Sequence, residues 1–451
     1  MVNPPESFPA VATLITHAER GHTLNRRQVL SPDRCWAVFD TRNDDTQIVT
    51  TRSIERVNLA SGLVEVLYQV AGGTVYGPGV GAAAYHPQDD KVIFIHGLHN
   101  CCSSLPYGVA RRFGAIWHSK VIPAEFRLGP SESSKVASAI PNVPLGVLSG
   151  GSHAHSWSPN GNRISFTYDD ALRPTMPRTV GFMTNAPSVN QMVMELFDVS
   201  RPSQDQDAEN FTGAYSSFLL LEPDPNLGIR KALEECWINN DSIAFLGVVE
   251  SKRGEEILEI FVAELPSDEE IAESLRSMDH RQSWPLLPGI NLRRLTYLES
   301  RMFPGVQGPR HWLTSSPKGE SIYFLLRDPK GVAQVAQVGV ESGDVRILTE
   351  LECGVEGQIS VNGSGDQLAF VSDGLVCTLS IESGALESGR IVRWVERGWR
   401  KGVKSPASMN CLPYEGSYVG AIHFVDDRRL LVNRYLRMDS GVFLQILMLE
   451  I

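Results

Sequence analysis

Apolar and polar positions along the chain fall into a recurring phrase: a turn built on Pro, Asn, Asp or Gly, two or three further residues, then an apolar-x-Phe strand. The clearest copies are Leu30–Phe39, Tyr85–Phe94, Trp157–Phe166 and Ser315–Phe324, each with Pro as its third residue. Fainter copies run over Cys236–Phe245, Val361–Phe370 and His423–Val432. Two-residue alternation bounded by turn residues marks half-buried strands. Seven such hairpins, at intervals of roughly 45 to 80 residues, are the signature of radially repeated four-stranded sheets. The pattern therefore predicts an all-β fold, a seven-bladed β-propeller that uses residues 1–451 as one domain.

Within each repeat the residues before the turn form the innermost strand and the apolar-x-Phe residues the next one outward. Third strands are expected at Ile54–Leu59, Glu259–Leu265, Val335–Val340 and Val376–Ile381, and outer strands at Gly62–Leu67, Arg293–Thr296 and Gly343–Thr349. The segment Ala12–Thr16 has outer-strand character but precedes the first inner strand. It has no blade of its own to complete, so it is expected to close the ring beside Phe443–Leu449, covering two edges that would otherwise be open. Ser267–Met278 carries an N-cap, acids in its first turn and apolar residues at helical spacing, which predicts a short surface helix. The stretches 98–150, 171–231 and 266–290 exceed a simple blade and are expected to be loop-rich excursions.

Charge narrows the partners. With 41 basic and 52 acidic residues the net charge is −11, which disfavours a phosphate backbone as ligand. No window approaches the roughly 18 apolar residues that span a bilayer, and the first residues lack a basic stretch followed by an apolar one. The expectation is a cytoplasmic protein that engages neither membrane nor nucleic acid. Seven cysteines without a CxxC pair form no disulfide framework; Cys101–Cys102 is an adjacent pair that could act as a redox sensor.

Candidate chemistry emerges when the repeats are aligned on the Phe of the second strand. His153 and His155 stand at i and i+2 on an inner strand, hence on one face and roughly 6.5–7 Å apart at Cα, a spacing that suits two imidazoles on one metal. His311 falls in the His153 register and Glu234 in the His155 register, while Arg26 and Gln28 occupy both positions in the first repeat. Inner strands line the channel of a propeller, so these residues predict a polar ring at one mouth, either a divalent-metal site or a metal-free binding ring. His96 and His22, at strand boundaries, are candidate general bases. Arg26, Arg310 and Arg111 are candidate substrate contacts for an acidic ligand. The remaining histidines, His423 among them, read as surface or turn residues. No GxSxG nucleophile elbow, phosphate loop, HExxH pair or calcium loop is present.

The Ser-Pro-Asn-Gly turn with its Ile-x-Phe strand, and Leu-Thr at the ends of outer strands, resemble the TolB-like propeller repeat. The segments Gly150–Tyr168 and Pro309–Trp312 are similar to those of a bacterial family of TolB-like proteins. More distantly, the repeats and the His153/His155 pair resemble oligogalacturonate lyase. That resemblance implies a manganese ion on His153 and His155, with His311 as third ligand, and β-elimination on a small uronate-containing sugar. The lyase has Gln three residues before the first of these histidines, where this chain has Gly150. The TolB-like resemblance implies instead a non-catalytic propeller that binds a protein or carbohydrate partner.

Overall fold

The computed structural model describes residues 6–44, 46–125, 146–173, 175–184, 186, 188–189, 214–277, 289–310, 312–381, 390–400 and 412–451. Strands β2 (Trp36–Asp40), β3 (Ser53–Asn58) and β4 (Val64–Gln69) form the first sheet. The second holds β5 (Val80–Tyr85), β6 (Val92–Gly97), β7 (Arg112–His118) and β8 (Lys120–Pro123), and the third β9 (Gly151–Trp157), β10 (Arg163–Asp169), β11 (Thr179–Thr184) and β12 (Tyr215–Phe218). The fourth comprises β13 (Ile229–Trp237), β14 (Ser242–Glu250), β15 (Glu256–Glu264) and β16 (Asn291–Arg294), and the fifth β17 (Thr314–Ser315), β18 (Ser321–Arg327), β19 (Ala333–Gly339) and β20 (Val345–Ile347). These are antiparallel meanders in which the apolar-x-Phe segment lies second in the four-stranded sheets and innermost in the three-stranded first sheet, with Phe39, Phe94, Phe166, Phe245 and Phe324 fully buried between sheets.

An eight-stranded sheet completes the set. Its order is β21 (Ser360–Val361), β22 (Gln367–Ser372), β23 (Leu375–Ser380), β24 (Ile391–Arg400), β1 (Glu6–Leu14), β27 (Gly441–Glu450), β26 (Arg429–Met438) and β25 (Leu412–Asp426). Consecutive meanders pack face to face, and a cluster that joins Leu24, Val29 and Phe39 to Val425, Leu431 and Ile446 brings the last meander onto the first. The arrangement is a β-propeller. Helix α1 (Asp268–Ser277) forms where expected. Its Ser267 hydroxyl accepts from the Glu270 amide while the Glu270 carboxylate accepts from the Ser267 amide, a reciprocal cap, and Ile271, Ala272 and Leu275 bury against the third and fourth sheets.

The N-terminal strand closes the ring as its pattern predicts. Val11–Leu14 pair antiparallel with Leu447–Glu450 of β27. On its other edge β1 pairs parallel with β24, from Glu6 opposite Val392 to Thr13 opposite Arg400, so one strand seals two sheet edges. A buried threonine fastens its end: Thr16 Oγ1 donates to Gln445 Oε1 at 2.9 Å and accepts the Ile446 amide at 2.9 Å. The same latch recurs at Thr296, with Glu259 at 2.5 Å and the Ile260 amide at 2.9 Å, and at Thr349, with Gln334 at 2.8 Å and the Val335 amide at 3.0 Å. This is the physical content of the Leu-Thr endings of the outer strands.

The first repeat departs from expectation. Its inner segment is no strand; only Thr23 and Leu30 make isolated bridges, to Asp40 and Ala37. Between them, Leu24–Gln28 leaves the ladder and crosses the centre of the ring. The Leu24 amide donates to Asn433 Oδ1 at 2.9 Å, Asn25 O accepts from His423 Nε2 at 2.8 Å, and Arg26 O accepts from Gln358 Nε2 at 2.6 Å. Arg27 donates to the carbonyls of Glu235 and, at 2.8 Å, Leu313. The Gln28 amide brackets the Trp157 backbone at 2.8 and 2.9 Å, and Gln28 O accepts the Tyr85 amide at 2.6 Å. His423, read from the sequence as a surface or turn residue, is therefore buried at the hub.

Replacing Thr16 with Val keeps the shape and leaves the buried Gln445 amide and Ile446 N–H without their partner, which should cost about 1–3 kcal/mol in urea unfolding; deletion of residues 1–16 should lower the melting temperature far more. Stability should also fall with acid. Burial pushes His22 down to about 3 and His423 down to about 4, whereas both titrate near 6.5 once unfolded. Their contribution is complete above about pH 6.5 and is lost as the unfolded chain takes up protons below it, at about 1.4 kcal/mol per pH unit per histidine. Urea midpoints between pH 7 and 5 measure that slope, and His423→Asn should flatten it by about one proton.

Candidate functional site

The inner strands of the second, third and fourth sheets share a bulge that decides where the candidate residues point. Ala82, Ala154 and Glu234 adopt left-handed φ of 53°, 58° and 53°, and the ladder slips at each: Gly81 to Ala84, His153 to Ser156, Leu233 to Cys236. One inserted residue breaks the two-residue alternation. His153 and His155 consequently do not behave as a same-face pair.

His155, buried, packs back on the second sheet, where a Cβ at Gly114 would lie 2.7 Å from its Nε2. That nitrogen donates to Ser152 Oγ at 3.0 Å, and the Ser152 hydroxyl donates to Glu125 Oε1 at 3.2 Å, a chain wholly removed from solvent. Burial, then the Arg112 charge, lowers the His155 pKa to about 3. The equivalent residue one sheet on is Glu235, which likewise turns back and accepts from Ser165 Oγ at 3.3 Å and Thr167 Oγ1 at 3.0 Å. The sequence alignment placed Glu234 in the His155 register. The fourth sheet's turn from Trp237 to Ile243 is one residue shorter than that from Trp157 to Ile164, so Glu235 takes that place and Glu234 corresponds to Ala154.

His153 is partly exposed and has a different setting. Burial, then Arg112, Arg178, His155 and Arg26, hold its imidazole well below its usual range, which leaves it neutral. Arg178 pairs with Asp169 at 2.8 Å, and Arg26, nearly buried, pairs with Glu234 across the channel. Burial, then the adjacent Arg27, lowers the Arg26 pKa to about 9, so it remains a cation at neutral pH. Arg310 and Arg26 both approach the Trp312 ring, at 5.1 and 5.9 Å from guanidinium carbon to centroid. The result is a mouth lined by guanidiniums around a neutral imidazole.

The other sequence candidates go elsewhere. Gln28 spends both amide atoms on the Trp157 backbone. His96 donates from Nδ1 to Gly97 O at 2.5 Å and accepts from the Tyr68 hydroxyl at 2.8 Å, buried inside the second sheet with its pKa lowered to about 4, chiefly by burial. His22 packs on Phe39 at 5.0 Å between centroids. Arg111 is tied to Asn100 Oδ1 at 2.8 Å and Pro106 O at 3.2 Å within its loop; its neighbour Arg112, the first residue of β7, reaches the mouth instead. His311 lies outside the described residues. Arg178 escapes the sequence reading because it precedes its strand with no motif, and of the basic pair Arg111-Arg112 the sequence favours the wrong member because strand phase decides which of two adjacent arginines faces inward.

A divalent metal does not find a complete site among the described residues. His153 and His155 each have a buried Nδ1 without a partner, but no group of three imidazole, thiol or carboxylate ligands assembles. A Gln at position 150 is also excluded as the backbone stands, since a Cβ there would lie 2.1 Å from the Asp169 carbonyl oxygen. The cations around His153 favour an anion over a metal ion. The turn side holds a separate cavity of about 330 Å³ lined by Arg34, Pro159, Trp237, Pro317 and Phe424, and none of the described candidate residues borders it.

Residues 79–192, which include β9 and its histidines, match a family model described as a protein of unknown function, DUF3748. Among solved structures the chain is similar to an oligogalacturonate lyase in complex with manganese, with a TM-score of 0.50 at 10% identity over 97% of this chain and 92% of that one. The chain is also similar to TolB from Acinetobacter baumannii, with a TM-score of 0.37 at 12% identity over 80% of this chain and 65% of that one. The first of these likenesses supports the propeller fold. Among described residues no helix is long and apolar enough to cross a membrane. The uncharacterised protein YidR of Escherichia coli strain K12 is 34% identical over 388 residues, 83% of this chain and 87% of that protein, and the chain belongs to the YidR family.

Proposed function

We propose that the chain is a single-domain, seven-bladed propeller, its eight-stranded sheet counting as two blades, that binds a small acidic carbohydrate at the channel mouth without a metal at its centre. The observation that carries this reading is the set of guanidiniums, Arg112, Arg178 and Arg26, gathered around His153. A carboxylate is the group such a set recognises, because charge-assisted hydrogen bonds to guanidinium are strong and directional. The fold likeness to oligogalacturonate lyase supports a uronate as the bearer of that carboxylate.

A second reading, lyase chemistry, has one specific support: His153 is neutral and stands among the groups that would hold the carboxylate. It could take the proton from the carbon beside that carboxylate while the bond to the β-oxygen breaks, the electron pair forming the new carbon–carbon double bond and the leaving oxygen taking up a proton.

Titration calorimetry with digalacturonate, no metal added, tests the binding reading. Arg112→Ala should weaken binding about 10- to 100-fold, the size of one lost charge-assisted contact. A neutral galactose disaccharide should not bind; equal binding of both sugars would sink the proposal. A bound carboxylate raises the pKa of His153, so affinity should rise as pH falls into the range where the imidazole of the complex takes up a proton. Ultraviolet absorbance of an unsaturated product, abolished in His153→Gln, would establish the lyase reading.

A further inference from the structure

We infer that Glu234 is an internal competitor for this mouth, its carboxylate occupying on Arg26 the position that a ligand carboxylate takes. The inference rests on the binding reading above and concerns how that site is kept and opened. Arg26 and Glu234 meet from opposite sides of the channel, Arg26 from the crossing segment and Glu234 from β13. The two partners are unequally held. The Arg26 side chain is 8% exposed, its own carbonyl takes the Gln358 amide, and Trp312 packs on its guanidinium, whereas the Glu234 side chain is 26% exposed. In a displacement the guanidinium stays and the carboxylate leaves. Arg26 Nη2 is also buried with no acceptor, a donor that a second oxygen could fill.

The bulge gives no reason of its own for a carboxylate at this position. The corresponding residues of the two preceding sheets are Ala82 and Ala154, at φ of 53° and 58°, so an alanine suffices for the backbone. Glu234 accepts the same disfavoured left-handed conformation, at 53°, while bearing a longer side chain whose recorded partner is Arg26. Its presence sets selectivity. An entering carboxylate exchanges with Glu234, so Arg26 is never left as a buried unpaired charge; a neutral sugar would have to break the ion pair and supply nothing in return.

The test uses the full chain and its Glu234→Gln, Glu234→Ala and Glu234→Asp variants, titrated with D-galacturonate and, as control, D-galactose, alongside thermal melts. Without ligand, Glu234→Gln and Glu234→Ala should melt below the wild type. They should then bind galacturonate about tenfold more tightly, the scale of one competing charge-assisted contact, and gain more in melting temperature from it than the wild type does. Glu234→Asp keeps the charge on a shorter side chain that competes less well, so it should bind galacturonate more tightly than the wild type but by less than the neutral variants, and it keeps the comparison usable should a neutral variant fail to fold. Wild-type binding that is unchanged or weakened in all three variants would overturn the competitor role while leaving the binding site intact. Absence of galacturonate binding in the wild type and every variant would overturn both.

Discussion

Arg26 and Arg27 carry two positive charges into the middle of a ring of sheets, a place where an unpaired cation is costly, and the rest of the molecule is arranged to receive them. The Glu234 carboxylate takes one; the carbonyls of Glu235 and Leu313 take the other. Leu24, Asn25 and Gln28 satisfy the flanking backbone from Asn433, His423, Trp157 and Tyr85. Because the acceptors belong to sheets on several sides of the channel, the crossing segment ties blades that otherwise touch only their immediate neighbours. A propeller gains stability chiefly from apolar contacts between adjacent sheets. Here a polar hub adds bonds across the diameter.

The hub and the closure strand answer the same question from opposite ends of the blades. At the centre, inner strands leave donors and acceptors that water in a wide channel would ordinarily satisfy, and Leu24–Gln28 supplies them from protein. At the rim, β24 and β27 would each present an open edge, and β1 pairs with both. The threonine latches at Thr16, Thr296 and Thr349 explain why the same outer-strand ending recurs: a hydroxyl that accepts one amide and donates to a buried Gln or Glu fixes the outer strand where its ladder stops. A Ser in that place would lose the methyl packing, and a Val both bonds.

Much of this fold is legible in the sequence because it depends on period and turn chemistry. Alternation and Pro-Asn-Gly turns locate the second strands, and the unassigned outer-strand character of Ala12–Thr16 locates the closure, since a strand with no blade has one economical place to go. The candidate site was legible only in part. His153 is found on its inner strand by period, whereas Arg26 reaches the centre on a segment that is no strand. The pairing of His153 with His155 fails because a left-handed Ala154 has no sequence mark; alanine is not a residue that announces positive φ. Glu234 and Glu235 exchange registers through a turn shorter by one residue, a change visible only when strands are aligned by their pairing and not by one conserved-looking Phe. Gln28 was read as a wall residue because nothing in its neighbourhood reveals that the chain there leaves the sheet.

The failure of the histidine pair has a physical origin with a chemical consequence. A bulge adds a residue, and with it a choice between facing the channel and facing the neighbouring sheet. In the third sheet His155 takes the inner route, to Ser152 and Glu125, and in the fourth Glu235 does the same, to Ser165 and Thr167. The polar groups that a metal would recruit are thereby used to join blades, while the groups left at the mouth are guanidiniums and a neutral imidazole. A bulge can thus change the charge that an inner strand presents with no change in strand order. At the corresponding bulge position of the fourth sheet, Glu234 carries a charge that its counterparts Ala82 and Ala154 do not.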